Sequence, residues 1–209
     1  RQGLLQSGGE LSIRASARDN RQGQIINLAG SRSELFVSQG IDNQAGLLEF
    51  NSSQTNISGQ SLTNQGGTIA ANTLYLDINT LNNGESGTVS SSALAIRASR
   101  LSNSGSFISN ILQLSATDII NSGEILSQRA SISGNSLDNS GVLQVSGLSQ
   151  GAGLELDLAY LTNSGTLYSN SENLSQNDMV LNNQGGTIVH SGSGVLGDHT
   201  TGDSNQTVR

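Results

Sequence analysis

An Asn followed within two to four residues by a Gly, with an apolar residue two positions past that Gly, recurs nine times in these 209 residues. The Asn column reads Asn20, Asn43, Asn64, Asn83, Asn103, Asn121, Asn139, Asn163 and Asn183. The Gly column reads Gly23, Gly46, Gly67, Gly87, Gly105, Gly123, Gly141, Gly165 and Gly186, with spacings of 23, 21, 20, 18, 18, 18, 24 and 21 residues. Gly3 adds a tenth marker 20 residues before Gly23. Self-similarity at such a period is the signature of a stacked repeat, in which each unit buries its apolar face only against its neighbours.

The position two beyond each marker is Leu5, Ile25, Leu48, Ile69, Val89, Phe107, Ile125, Leu143, Leu167 or Ile188, all apolar. A second element alternates apolar with other residues: Leu11-Ser-Ile13, Leu35-Phe-Val37, Leu74-Tyr-Leu76, Leu94-Ala-Ile96, Leu112-Gln-Leu114 and Leu154-Glu-Leu156. Alternation of this kind marks a strand with one buried face. A third is the lead-in to the Asn, at Ile41, Leu62, Leu81, Leu101, Leu137, Leu161 and Leu181. Three short strands and three bends per unit predict an all-β fold, a right-handed parallel β-helix of about ten coils. Strands stacked at about 4.8 Å would make a rod of roughly 48 Å. A hexapeptide left-handed helix would need an apolar residue six after Phe107, where Gln113 stands.

Stacking gives the repeated Asn and Gly a structural role. Asn side chains above one another can pass amide hydrogen bonds from coil to coil, and Gly is expected to take a positive-φ corner. The clearest corners are Asn103 and Gly105, Asn121 and Gly123, Asn139 and Gly141, and Asn163 and Gly165.

Only 33% of residues are hydrophobic and 3% aromatic. Scattered, these would not make a core, but a coil needs only a narrow aliphatic seam. The seam predicts one repeat domain over residues 1–191 and an irregular tail or truncated coil over 192–209. Cysteine is absent, so neither disulfides nor thiolate metal sites contribute. A net charge of −7 argues against nucleic acid as a partner. No run of 18 apolar residues and no charged-then-apolar leader occurs, so the chain is not expected to span a membrane. A coil opening already at Gly3 implies a segment internal to a longer array.

Two stretches lengthen their coils, Asn27 to Ser33 and Gly147 to Gly153. Insertions in a solenoid map to its surface, where binding is commonly placed, so Asn27, Arg32, Ser33 and Gln150 are candidate partner contacts. Catalysis is not expected. Asp77 and Asp157 stand in similar strands but four coils apart, roughly 19 Å by the strand spacing, whereas glycoside hydrolysis needs carboxylates about 5 to 10 Å apart. Glu155 and Asp157 read as a solvated edge. His190 and His199, with Asp198 beside the second, are too few for a zinc site and are expected at the surface. The Gly-Gly-x-Gly-x-Asp calcium nonapeptide is absent, so neither metal nor cofactor is implied.

The pattern Leu-x-Asn-Ser-Gly-x-Ile/Leu-x-Ser followed by Leu-x-Leu-x-Ala, as in Leu94 to Gly105 and Leu112 to Gly123, resembles the haemagglutinin repeats of filamentous haemagglutinin. The likeness covers about residues 3 to 190. It implies a large exoprotein of Gram-negative bacteria, exported through a dedicated outer-membrane pore by two-partner secretion and displayed at the cell surface. Arrays of this kind form the shafts of adhesins and of contact-dependent growth inhibition effectors. The expected function is therefore a rigid segment presenting a binding or toxic terminus to another cell, with receptor or glycan binding by the protruding loops as the alternative and a polysaccharide lyase or hydrolase on the same fold less favoured. The repeat motif carries no catalytic residue that could be transferred to this chain.

Overall fold

A computed structural model describes residues 3–147, 153–170, 173–176 and 179–191. Every regular element in it is a β-strand, and the strand pairings are parallel. The chain winds as a β-solenoid of about nine turns, close to the ten coils expected. The residues two beyond the marker glycines lie in one register from Leu5 through Ile25, Leu48, Ile69, Val89, Phe107, Ile125, Leu143 and Leu167 to Ile188. Ten stacked positions bound nine turns, a stack of roughly 43 Å at the usual strand spacing.

The central turns are the most regular. Thr68–Asn83, Thr88–Asn103, Ser106–Asn121 and Glu124–Asn139 are each continuous 16-residue strands that bend at two points. Between Thr88–Asn103 and Ser106–Asn121 the register runs 88–91, 93–98 and 100–103, so the three short strands survive as three paired stretches. Each contributes inward residues to one core: Val89, then Leu94 and Ile96, then Leu101, all buried. Burying such a side chain contributes about 1.5–3 kcal/mol. A single turn cannot shield its own seam, so that contribution exists only where another turn lies above or below.

The second apolar element is shifted from its expected alignment. Ile13, not Leu11, pairs with Leu35, and Leu35 pairs with Ile57, which pairs with Leu76. The column holding Leu74 therefore passes back through Thr55 and Ser33 to Leu11. Two buried hydroxyl residues interrupt the apolar run there and hide the register from a hydrophobicity reading. Thr55 Oγ1 is satisfied by Ser52 Oγ at 3.1 Å, whereas Ser33 Oγ has no partner among the described residues.

The marker glycines are also needed for a different reason from the one expected. Positive φ falls on the residue before the marker in the longer corners, at Gln22, Ala45, Gly66, Ser86 and Gly185. From Gly46 onward the markers themselves lie where the backbone of an earlier turn approaches. A Cβ on Gly123 would stand 2.1 Å from the Gly105 carbonyl oxygen, and one on Gly105 would stand 2.1 Å from that of Gly87.

Candidate functional site

The Asn corner is the most regular polar feature of the molecule. Each Asn in the column donates from Nδ2 to Oδ1 of the Asn one turn on, at 2.7–2.8 Å, from Asn20 to Asn43 through Asn103 to Asn121 and Asn121 to Asn139, ending at Asn163 to Asn183. All nine side chains are buried. In the short Asn-Ser-Gly corners the Asn backbone carbonyl also accepts two N–H groups from the next turn. Ser122 and Gly123 donate to the Asn103 carbonyl at 2.8 and 3.0 Å, and Ser140 and Gly141 donate to that of Asn121 at 2.9 and 3.0 Å. Ser164 and Gly165 repeat this on Asn139. Saturated in this way, the corners have little left to offer a ligand.

The first insertion does not present all its residues to solvent. Asn27 is buried, donating to the Gly9 and Ala29 carbonyls and accepting from the Ser52 N–H at 2.9 Å. It occupies an inward column that continues as Phe50, Ala71, Ser91, Ser109, Ser127, Val145 and Ser169. Ser33 is buried as well, and Arg32 is the exposed candidate of that loop. Gln150, with most of the second insertion, lies outside the described residues, as do His199 and Asp198. His190 corrects the surface expectation: it pairs with Ser169 in that same inward column and is 8% exposed.

Outward positions of the Leu-x-Leu strand form a face of different character. One outward column runs Glu34, Asn56, Tyr75, Ala95, Gln113, Ser131 and Glu155. The next, two residues along each strand, runs Arg14, Phe36, Ser58, Asp77, Arg97, Ser115, Ser133 and Asp157. Asp77 and Asp157 are thus in one column but four turns apart, as the spacing predicted, and the registered neighbours of Asp77 are Ser58 and Arg97. Glu155 and Asp157 are both exposed. At the upstream end Arg14 meets Glu34 at 3.3 Å and lies over the Phe36 ring at 5.5 Å.

The step from Tyr75 down to Ala95 opens a trough. A cavity of about 520 Å³ is lined by Tyr75, Asp77, Arg97 and Gln113 over a floor of small residues that includes Ala95 and Ser133. A second, of about 560 Å³, shares Asp77 and Arg97 with it and continues past Ser58 to Phe36. Tyr75 is 44% exposed. The Tyr75 hydroxyl, the Asp77 carboxylate, the Arg97 guanidinium and the Gln113 amide make no hydrogen bond or ion pair among the described residues. The members of this set are scattered along the chain and meet only through the register, so no spacing in the sequence brings them together.

Two carboxylates do stand on adjacent turns, Asp19 and Asp42, in register near a corner. Arg21 binds Asp19 at 2.6 Å and reaches Asp42 at 3.7 Å. The side-chain hydrogen bond from Arg21, joined by its backbone N–H, lowers the Asp19 carboxyl to about 2. An acid held ionised in this way is not a proton donor near neutrality. Among the described residues no group of three or more His, Cys, Asp or Glu side chains is placed to hold a metal ion, and no helix is long and apolar enough to cross a membrane.

No family model, curated protein or solved structure matches this chain.

Proposed function

We propose that this chain is a rigid, non-enzymatic shaft segment of a large, secreted bacterial exoprotein at the cell surface, holding a binding or toxic terminus away from the cell that makes it. The observation that carries the reading is the unbroken register of the first apolar column together with the nine-member buried Asn ladder. Bending such a rod would stretch hydrogen bonds at many turns at once, because strand pairing, corner carbonyls and side-chain amides all run along the axis. The likeness of the repeats to those of filamentous haemagglutinin supports two-partner export through an outer-membrane pore, in which winding turn by turn would draw the chain outward.

A spacer tolerates whole added turns and not fractions of one. A second copy of residues 124–141 placed after Gly165 in the parent protein should leave surface display and target-cell attachment intact, with the rod about 4.8 Å longer. Half that copy, residues 124–132, should abolish display by breaking the register. Loss of attachment on whole-turn insertion, with display retained, would show that this segment is not a spacer.

A further inference from the structure

We infer that the trough running past Tyr75, Asp77, Arg97 and Gln113 is a binding site for a neutral oligosaccharide. The site is separate from the insertions that the sequence offered as binding loops, and it does not depend on the shaft reading, since a rod can carry a site on its side. Four properties converge on this ligand.

The first is availability. Asp77 and Arg97 are registered neighbours on adjacent turns, yet no ion pair joins them, and both line the two neighbouring cavities. A carboxylate and a guanidinium left unpaired side by side offer acceptors and a planar fork of donors to the same ligand. The second is the aromatic. Tyr75 is nearly half exposed although it is flanked by buried Leu74 and Leu76, and it carries an apolar ring beside a free hydroxyl. A pyranose ring presents the matching surfaces, C–H groups on its faces and hydroxyls around its rim, and an aromatic side chain with a polar tip serves both. The Gln113 amide and the Ser115 and Ser133 hydroxyls add planar and small polar partners along the floor.

The third property is charge. The trough holds one acid and one base, so it is locally balanced within a chain of net charge −7. An acidic polysaccharide would meet both Asp77 and the overall negative field, whereas a neutral glycan meets neither penalty. The fourth is backbone. A peptide docking in extended form would seek a free strand edge. Here the strand beneath Tyr75 is paired on both sides, with the turn holding Asn56 and the turn holding Ala95. Polar side chains on successive rungs, Ser58, Asp77, Arg97, Ser115 and Ser133, about 4.8 Å apart, instead suit a polymer that repeats its own hydroxyls. Each of the two cavities, about 520 and 560 Å³, falls within the roughly 300–1,000 Å³ that sites for small ligands occupy.

The test is calorimetric titration of the protein with neutral hexose hexamers, cellohexaose and laminarihexaose, beside a galacturonate hexamer and an extended polar hexapeptide. A neutral hexamer is expected to bind, with affinity falling about tenfold or more in Tyr75→Ala and in the double variant Asp77→Asn, Arg97→Gln. Arg32→Ala, in the first insertion, is expected to bind as the unmodified protein does. All four side chains are exposed, so circular dichroism and the unfolding midpoint should not move, which separates lost binding from lost fold. Failure of both neutral hexamers to bind, equal or tighter binding of the galacturonate hexamer or the peptide, or binding unchanged in Tyr75→Ala would each overturn the assignment. None of these results bears on whole-turn insertion, so the shaft reading stands or falls separately.

Discussion

Replacing Asn121 by Ala tests whether the amide ladder holds adjacent turns together. Asn121 accepts from Asn103 Nδ2 at 2.8 Å and donates to Asn139 Oδ1 at 2.7 Å and to the Val142 carbonyl at 3.1 Å. Three hydrogen bonds, two buried and one partly buried, at about 1 kcal/mol each give roughly 3 kcal/mol. Asn139 Oδ1 then loses its donor inside the corner, which adds about 1–3 kcal/mol. Asn103 keeps its bond to the Glu124 carbonyl at 3.0 Å, so its amide is not orphaned. The expected loss is about 4–6 kcal/mol, a large fraction of the stability of an ordinary domain. Asn20 starts the ladder and donates to Asn43 without accepting from an earlier Asn, so Asn20→Ala should cost about 1 kcal/mol less. Asn110 is exposed, and Asn110→Ala should fall within about 0.5 kcal/mol of the unmodified protein. Urea unfolding followed by far-ultraviolet circular dichroism gives the three values, provided the denaturant slope is unchanged. An Asn121→Ala loss below about 1 kcal/mol, or one no greater than that of Asn110→Ala, would refute the ladder as a source of stability.

Two further outcomes follow from the corners. Gly123→Ala should destabilise by at least about 1–3 kcal/mol, because the new methyl must displace the Gly105 carbonyl oxygen it would meet at 2.1 Å, whereas Gly8→Ala, with open space around it, should be nearly silent; thermal unfolding of the two variants decides this. Arg21 holds the folded-state carboxyl of Asp19 at about 2, below its ordinary 3.8, so its contribution is complete above about 3.8 and is lost as pH falls toward 2. Both side chains are more than half open to solvent, and the contribution of the pair is correspondingly small. Asp19→Asn should lower stability by that small, constant amount above about pH 3.8 and flatten the slope between about 3.8 and 2, leaving the two proteins alike below that range; urea unfolding at a series of pH values reads the difference.

The first apolar column was legible because its position is tied to a marker Gly, which from Gly46 onward cannot be replaced without a backbone clash, and that tie survives changes in turn length. The lead-in column was legible for the same reason, being anchored two residues before the Asn. The second element floats between two bends of variable length. There, Ser33 and Thr55 occupy inward positions, which moved the apparent register by two residues. Asn27 and His190 illustrate the same difficulty. Both are polar residues in an inward column at irregular turns, and a reading by residue type placed them outside. The trough was hidden for another reason. Alternation alone points Tyr75 outward, but that Ala95 follows it and Arg97 follows Asp77 is a statement about neighbouring turns, available only once the register is fixed.

The solenoid also separates what holds the molecule together from what it can recognise. Inward residues and corners are constrained by every neighbouring turn, so a change there propagates along the axis. Outward positions of the Leu-x-Leu strands are bounded only by the side chains above and below, and the backbone beneath them is already paired on both sides. A surface of this kind can therefore acquire or lose a site by exchanging single outward residues without disturbing the core. Ala95 is the instructive position. It is half-buried between Tyr75 and Gln113, and its small side chain gives the trough its depth. Filling that step with a large residue would close the trough while leaving Leu94 and Ile96, its inward neighbours, in the same packed columns.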